Sequence, residues 1–139
     1  MARRSRAREV ALQLLYALDL NPQQHPDTAE AFLARRLHGD RELMRFARSL
    51  VAGVQRNREE IDELLGARAQ NWTLDRMAAT DRNILRLGAY EIVYTDAPPR
   101  VAINEAVELA KRFGTRHSAQ FVNGVLDRVM HDFRPNDSS

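Results

Sequence analysis

The sequence contains no cysteine, one tryptophan, one lysine and six dispersed glycines among 139 residues. The absence of cysteine excludes disulfides, thiolate nucleophiles, zinc–thiolate sites and iron–sulfur clusters. The glycines do not follow the spacing of a phosphate-binding loop, so no nucleotide cofactor is expected. No apolar run approaches the ~18 residues that span a bilayer. The start of the chain also lacks the apolar core of a secretory signal. Together these absences predict a cytoplasmic protein that does not enter a membrane.

Catalytic patterns are missing as well. The four histidines lie in predicted loops and helix ends without forming a His-x-x-x-His pair, and no serine or threonine lies in a recognisable nucleophile elbow. One acidic run points several ways around a predicted helix instead of converging on a cation; it comprises Glu59, Glu60, Asp62 and Glu63. We therefore expect no enzyme activity, no metal site and no cofactor.

Positive charge is distributed unevenly, although the formal net charge is only +2. The first eight residues contain no acid and four arginines, Arg3, Arg4, Arg6 and Arg8. The remaining 17 of the 21 basic residues stand against 19 acidic ones. The excess charge therefore lies at the start of the chain, in guanidinium groups that suit bidentate contacts to phosphate.

Apolar residues recur at a helical period along the chain and almost never alternate, which predicts an all-α fold. Short connections favour a compact single-domain bundle of about six to seven helices over residues 1–139, with residues 1–3 and 135–139 flexible. Predicted helices cover about 4–20, 81–94 and 100–113. Another runs from about Asp27 to Gly39, and three more follow the expected caps Asp40, Asn57 and Ser118.

Several local features are predicted at the helix ends. Asp27 or Thr28 is expected to cap the second helix, and Asn57 is expected to form a capping box with Glu60. Gly114 stands where a left-handed residue commonly ends a helix. Residues 66–80 have the weakest pattern, and we expect a short helical turn there, with Trp72 covering the edge of the core.

The first predicted helix aligns three side-chain types that bind RNA. Its buried stripe is predicted to contain Ala7, Ala11, Leu14 and Leu18, and the adjacent stripe contains Arg6, Glu9, Gln13 and Tyr16. A guanidinium suits phosphate, an amide can read a base edge, and a phenol ring can stack on an unpaired base. The pattern favours binding of single-stranded RNA. The alternative is a merely soluble arm with Tyr16 half-buried in the core.

A second group of hydrogen-bond donors lies beside Phe113 and Phe121. It comprises Lys111, Arg112, Arg116, His117, Ser118 and Gln120, and we call residues 111–121 the basic loop. A helix that starts at Ser118 would also direct backbone N–H groups toward a nearby phosphate. If the first and last helices pack side by side, the two basic groups would join.

Four segments resemble the NusB family of bacterial transcription antitermination factors. The first is residues 4–9, Arg-Ser-Arg-Ala-Arg-Glu, with Ala11, Gln13, Leu15 and Tyr16 after it. The others are the run from Val101 to Lys111 followed by Phe113-Gly114, the run from Phe121 to Asp127, and Arg134-Pro135-Asn136. These segments keep the family's order, and the resemblance covers essentially the whole chain.

The resemblance implies an all-helical protein that binds the boxA element of nascent RNA together with ribosomal protein NusE. The complex keeps RNA polymerase elongating through ribosomal RNA operons, and no catalysis is implied. The RNA-contacting residues that the resemblance implies are Arg4, Arg6, Arg8, Gln13, Tyr16, Lys111, His117, Gln120 and Phe121. Arg3 lies just before the matching segment and is included with them. Family members often have an acid where His117 stands and a basic residue where Gln120 stands.

Other positions are assigned to partner binding or to structure. Asp75, Asp81 and Arg86 are predicted to face NusE from the middle helices. Four further residues are interpreted as structural, with Gly124 allowing close helix approach; they are Asn104, Glu105, Asn123 and Gly124. A homodimer that covers the RNA-binding face is also possible.

Two other functions compete with RNA-binding antitermination. A related helical domain precedes the catalytic part of some ribosomal RNA cytosine methyltransferases, but this chain lacks the cysteine and the glycine-rich cofactor loop of such enzymes. A helical adaptor that binds only protein is the other alternative. Gel shifts with boxA and non-specific RNA, with and without NusE, would separate it from an RNA-binding protein.

Overall fold

The computed structural model describes residues 2–70 and 72–137, and this part of the chain contains helices and no strand. Its seven α-helices are α1 (Ala2–Leu20), α2 (Pro26–Arg36), α3 (Arg41–Arg56), α4 (Arg58–Arg68), α5 (Ala79–Tyr94), α6 (Pro99–Phe113) and α7 (Ser118–Phe133). Two 3-10 turns cover Leu74–Arg76 and Pro135–Asp137. The predicted all-α fold is confirmed. The expected flexibility of the ends stays a prediction, and residues 1, 138 and 139 lie outside the described residues.

The chain divides into two compact units, unit 1 (Met1–Gly53) and unit 2 (Val54–Ser139), and the division falls within α3. The single-domain organisation stays a prediction, and the two units are described separately. Among the described residues, no helix combines the length and the apolar character needed to cross a bilayer.

In unit 1, α1 packs against α2 and is buried around most of its circumference between residues 7 and 15. The predicted stripe is right for Ala7, Ala11 and Leu14, whereas Leu18 is only half-buried. Burial extends beyond that stripe to Val10, Leu12 and Leu15. The helix therefore has a broader buried surface than a single stripe at i, i+3 and i+4 predicts.

The start of α2 differs from the prediction. His25 is the N-cap, and its Nδ1 accepts a hydrogen bond from the backbone N–H of Asp27 at 3.0 Å. Pro26 then occupies the first helical position, where its missing N–H removes no helical hydrogen bond. The expected cap at Asp27 or Thr28 is therefore wrong, because both residues already lie inside the helix.

The connection from α2 to α3 agrees with the sequence pattern at Asp40, whereas α2 ends at Arg36 with Leu37 as its C-cap, before the predicted end at Gly39. His38 and Gly39 have φ values of 54° and 70°, so the chain leaves the helix through two left-handed residues. Asp40 then caps α3 as predicted, with its Oδ1 accepting from the Leu43 N–H at 3.1 Å. The Arg3 guanidinium also bonds to Oδ2 of Asp40. The Leu43 N–H and, secondarily, Arg3 lower the pKa of Asp40 from its usual value.

In unit 2, α5 packs against α4, α6 and α7, and every residue from Asn83 to Ile92 is buried. Gly88 permits this arrangement, because a Cβ at this position would lie 2.5 Å from Leu126 Cδ1 and 3.5 Å from Ala106 Cβ. Arg86 is only 4% exposed and forms a two-point ion pair with Asp62 of α4, with N–O distances of 2.8 and 3.0 Å. This pair joins α4 to α5.

The capping box at the start of α4 is not formed. Asn57 is the N-cap residue, as predicted, but its side chain makes no capping hydrogen bond. Glu60 instead accepts a hydrogen bond from the hydroxyl of Tyr94, at the end of α5. A bond to a residue 34 positions away has therefore replaced the local bond expected from the sequence.

The link between α6 and α7 also corrects two predictions. Gly114 ends α6 with φ −96° and ψ −166°, an extended conformation instead of a left-handed one. Ser118 is buried and is not the N-cap of α7; His117 holds that position. The Ser118 Oγ accepts from the Thr115 N–H at 2.9 Å, so this side chain stabilises the loop instead of the helix end.

Substitution of Asp40 tests the cap of α3. Asp40→Ala removes the cap and the ion pair, whereas Asp40→Asn retains a capping oxygen. We therefore expect the thermal midpoint at pH 7 to be highest for the wild type, lower for Asp40→Asn and lowest for Asp40→Ala. Because the folded-state pKa of Asp40 is lowered, its stabilisation is present above the unfolded-state value of about 3.9 and is lost as pH falls through the folded-state value. Circular dichroism melts over this pH range measure the effect. Equal midpoints for Asp40→Ala and wild type would contradict it.

Two glycine substitutions test whether the structure has room for a Cβ at Gly114 and at Gly124. A Cβ at Gly114 would lie 2.4 Å from Ser118 Oγ and 2.9 Å from the Ala110 carbonyl oxygen, so Gly114→Ala should destabilise the protein by about 1–3 kcal/mol. A Cβ at Gly124 would meet nothing closer than Arg128 Nη1 at 3.8 Å, so the interpretation of Gly124 as a close-approach residue is wrong. Gly124→Ala should instead stabilise α7 by up to about 1 kcal/mol. Urea denaturation measures both; equal stability of the two variants would refute this assignment.

Candidate nucleic-acid interface

The start of α1 carries three exposed arginines in unit 1. Arg3 bonds to Asp40 and lies 3.7 Å from Glu42. The guanidinium of Arg4 lies over the ring of Phe46, 4.2 Å from its centroid. Arg6 is exposed and forms no ion pair within the described part of the chain. Arg4 and Arg6 therefore present cationic groups that no carboxylate of unit 1 neutralises.

Arg8 has a different environment from these three arginines. It is only 6% exposed, and its guanidinium lies 5.3 Å from the centroid of the Phe46 ring. Arg4 and Arg8 are four residues apart on one face of α1, so both can contact this single ring. Arg8 therefore packs within the folded protein, and its contact with RNA stays a prediction.

The predicted polar stripe on α1 is only partly open to solvent. Arg6 is exposed and Tyr16 is 40% exposed, but Glu9 is buried. Arg36 of α2 lies 3.6 Å from Glu9 and donates a hydrogen bond to the Gln13 amide oxygen. Sequence reasoning missed Arg36, because no local pattern relates it to residues more than 20 positions away. Gln13 is thus held by α2, and its role toward RNA stays a prediction.

The basic loop of unit 2 presents exposed cations at the end of α6. Lys111 bonds to Glu108 at 3.3 Å, and the Arg112 guanidinium lies 5.2 Å from the Phe113 ring centroid. Arg116 Nε donates to His117 Nε2 at 3.3 Å. No acidic residue occurs anywhere from 109 to 126. This segment is therefore positively charged and open to solvent at Lys111, Arg112, Arg116, His117 and Gln120.

Two aromatic side chains lie beside the start of α7. Trp72 is expected to cover the edge of the core, but its side chain is 52% exposed. Its ring meets that of Phe121 edge-on, with the two ring centroids 6.2 Å apart. Both line a cavity of about 340 Å³, which Met77, Ala78, Asp81, Thr115, His117 and Ser118 complete. The sequence indicated Phe121 but did not relate it to Trp72, because 49 residues separate them.

The three residues predicted to face a partner protein have different environments. Asp75 is exposed on the 3-10 turn, and Asp81 lines the cavity beside Phe121. Arg86 is buried in its ion pair with Asp62, so it lies inside the fold and not on a surface open to a partner. Of the residues interpreted as structural, Asn104 and Asn123 are exposed and Glu105 is half-buried.

The chemistry of these surfaces suits binding. Within residues 2–70 and 72–137, no group of three or more histidine, aspartate or glutamate side chains could hold a metal ion. Exposed guanidinium groups contact phosphates, and exposed aromatic rings stack on unpaired bases. The start of α1 supplies cations in unit 1, and the basic loop supplies cations and aromatic rings in unit 2.

A family model and individual relatives both match this chain, and they belong to the same family. Residues 5–131 match the model of the NusB family. The chain is 46% identical over 134 residues to the transcription antitermination protein NusB of Anaeromyxobacter dehalogenans strain 2CP-1, covering 96% of this chain and 94% of the relative. It is 47% identical over 133 residues to the NusB of Myxococcus xanthus, covering 93% and 95% respectively.

Solved structures agree in fold as well as in sequence. T. maritima NusB has a TM-score of 0.85 and 34% identity, covering 97% of this chain and 95% of that chain. A complex of antitermination factors NusB and NusE with double-stranded RNA contains a chain with a TM-score of 0.86 and 27% identity, covering 96% and 99%. The matching model, the curated relatives and the solved structures together show that this chain belongs to the NusB family.

Proposed function

We propose that this protein is an RNA-binding transcription antitermination factor. It binds boxA RNA in the leaders of ribosomal RNA operons together with ribosomal protein NusE, and it supports processive elongation by RNA polymerase. The observation that carries the proposal is the placement of Arg3, Arg4 and Arg6 on the exposed start of α1, in a chain whose remaining residues are slightly acidic. Membership of the NusB family supports the same function.

The charge distribution supports a polyanionic ligand. RNA binding releases counterions from phosphates, which favours clustered cations over scattered ones. Packing of Arg4 on Phe46 orders a side chain that would otherwise lose conformational freedom on binding. In unit 2 the acid-free basic loop provides a second cationic surface with Phe121 beside it. The start of α1 and the basic loop therefore each place cations that suit phosphate beside an aromatic side chain.

The relatives support the two partners. One solved structure similar to this chain contains NusB, NusE and double-stranded RNA, and another is described as a plectonemic RNA supercoil. We extend RNA and NusE binding to this chain by its family membership. No catalytic role is proposed, and the protein is proposed to act in the cytoplasm, where transcription occurs. Incorporation into the RNA polymerase antitermination complex and a homodimer of the free protein are further parts of the proposal.

The N-terminal arginines give the sharpest test of RNA binding. Replacing Arg3, Arg4 and Arg6 by Gln should weaken binding of labelled boxA RNA on the order of 100-fold at about 0.1 M salt, because three phosphate contacts are lost. The slope of log K against log salt should also become shallower by about 2. Fluorescence anisotropy over a salt series measures both quantities.

The matched control replaces three exposed arginines elsewhere by Gln, namely Arg35, Arg45 and Arg56. This control changes the net charge equally and should retain most of the affinity and the slope. Circular dichroism verifies that both triple variants are folded. Equal losses in the two variants would show that only net charge matters, and an unchanged affinity in the N-terminal variant would refute the proposed site.

A further inference from the structure

The cavity beside the basic loop is lined by aromatic and polar side chains together, which packing of the core alone does not explain. Trp72 and Phe121 form aromatic walls, and the carboxylate of Asp81 and the polar side chains of Thr115 and His117 share the same space. The rings meet edge-on, and Trp72 remains half-exposed. Aromatic surface beside a carboxylate suits a flat ligand that also carries an N–H donor.

The carboxylate of Asp81 has an unmet hydrogen bond. Among the residues that the structure describes, Oδ1 of Asp81 is a buried oxygen without a hydrogen-bond partner. A buried acceptor without a donor is unfavourable, so native structures rarely retain one. The carboxylate torsion is broad, so a modest rotation would turn this oxygen toward a donor in the cavity.

We propose that the cavity holds one unpaired RNA base whose exocyclic amino group donates a hydrogen bond to Oδ1 of Asp81. The base ring lies against Trp72 and Phe121, as unpaired bases do on aromatic side chains. Carboxylates are suitable acceptors for the amino group of cytosine. This inference rests on the proposed RNA-binding function and adds to it the chemistry of one recognised base.

A cationic side chain of a protein partner is the competing occupant, because aromatic rings and a carboxylate also suit lysine or arginine. The surrounding charge favours RNA. Lys111 and Arg112 are exposed at the end of α6, Arg116 is exposed on the loop that follows, and residues 109–126 contain no acid. These cations repel a cationic side chain and attract the phosphates that flank a base.

The experiment uses Trp72 as a reporter, because it is the protein's single tryptophan. Short single-stranded boxA RNA is titrated into the full-length protein, and tryptophan fluorescence is followed alongside the anisotropy of the labelled RNA. We expect quenching of Trp72 with the same midpoint as the anisotropy change. RNAs in which each amino-bearing base in turn is replaced by its analogue without the amino group then locate the base.

Asp81→Ala is combined with each RNA analogue. We expect one analogue to weaken wild-type binding by about tenfold, as loss of a charge-assisted hydrogen bond does, and to have no further effect on Asp81→Ala. Asp81→Asn keeps an acceptor oxygen and should give an intermediate affinity. Asp96→Ala is the matched control, because Asp96 is an exposed carboxylate of unit 2 that does not line the cavity. Melting curves verify the fold of each variant.

The outcomes separate this inference from the proposed function. RNA binding by anisotropy without Trp72 quenching, or without coupling between Asp81 and any base, would overturn the cavity assignment and leave RNA binding intact. A complete absence of boxA binding, with and without NusE, would overturn the proposed function itself. A change in Trp72 fluorescence with NusE alone, and none on adding RNA, would assign the cavity to the protein partner and overturn the base assignment.

Discussion

Complete burial of α5 from Asn83 to Ile92 is the constraint on which the arrangement of unit 2 depends. A helix buried on every side needs neighbours around it, and α4, α6 and α7 supply them. Gly88 allows Leu126 to approach the α5 backbone, and the buried Arg86–Asp62 pair joins α4. Because α6 and α7 both pack on α5, the link between them and the first turn of α5 come together, and the cavity lined by Asp81, Thr115 and Phe121 forms there.

In unit 1 the corresponding constraint is the broad burial of α1. Only the first turn and scattered later positions of this helix remain open, so the exposed arginines are confined to its start. The Phe46 ring packs against both the exposed Arg4 and the buried Arg8. The small net charge of the chain therefore gives little information about its binding surface, whereas the position of each arginine on α1 gives much.

Much of this architecture follows from local sequence signals. The predicted bounds of α1, α5 and α6 agree with the structure to within two residues, and Asp40 caps α3 as expected, because periodicity and cap residues act over one or two turns. Some failed predictions are local, since His25 caps α2 in place of Asp27 or Thr28, and Ser118 bonds to the Thr115 N–H and does not cap α7. Others involve distant partners, because Glu60 bonds to Tyr94 and Gln13 is held by Arg36. The same limit applies to the site, since Arg4 and Arg6 follow from helical phasing but the juxtaposition of Trp72 with Phe121 requires the tertiary fold.

The central claim is that RNA contacts the start of α1 and the basic loop, and amide chemical-shift mapping tests it most directly. Proton–nitrogen correlation spectra of the isotope-labelled protein are recorded during titration with boxA RNA. We predict that the largest shift changes lie in residues 3–8 and 111–121, with the acidic face of α4 at residues 59–63 unaffected. Changes that avoid both basic segments, or that centre on α4, would contradict this account.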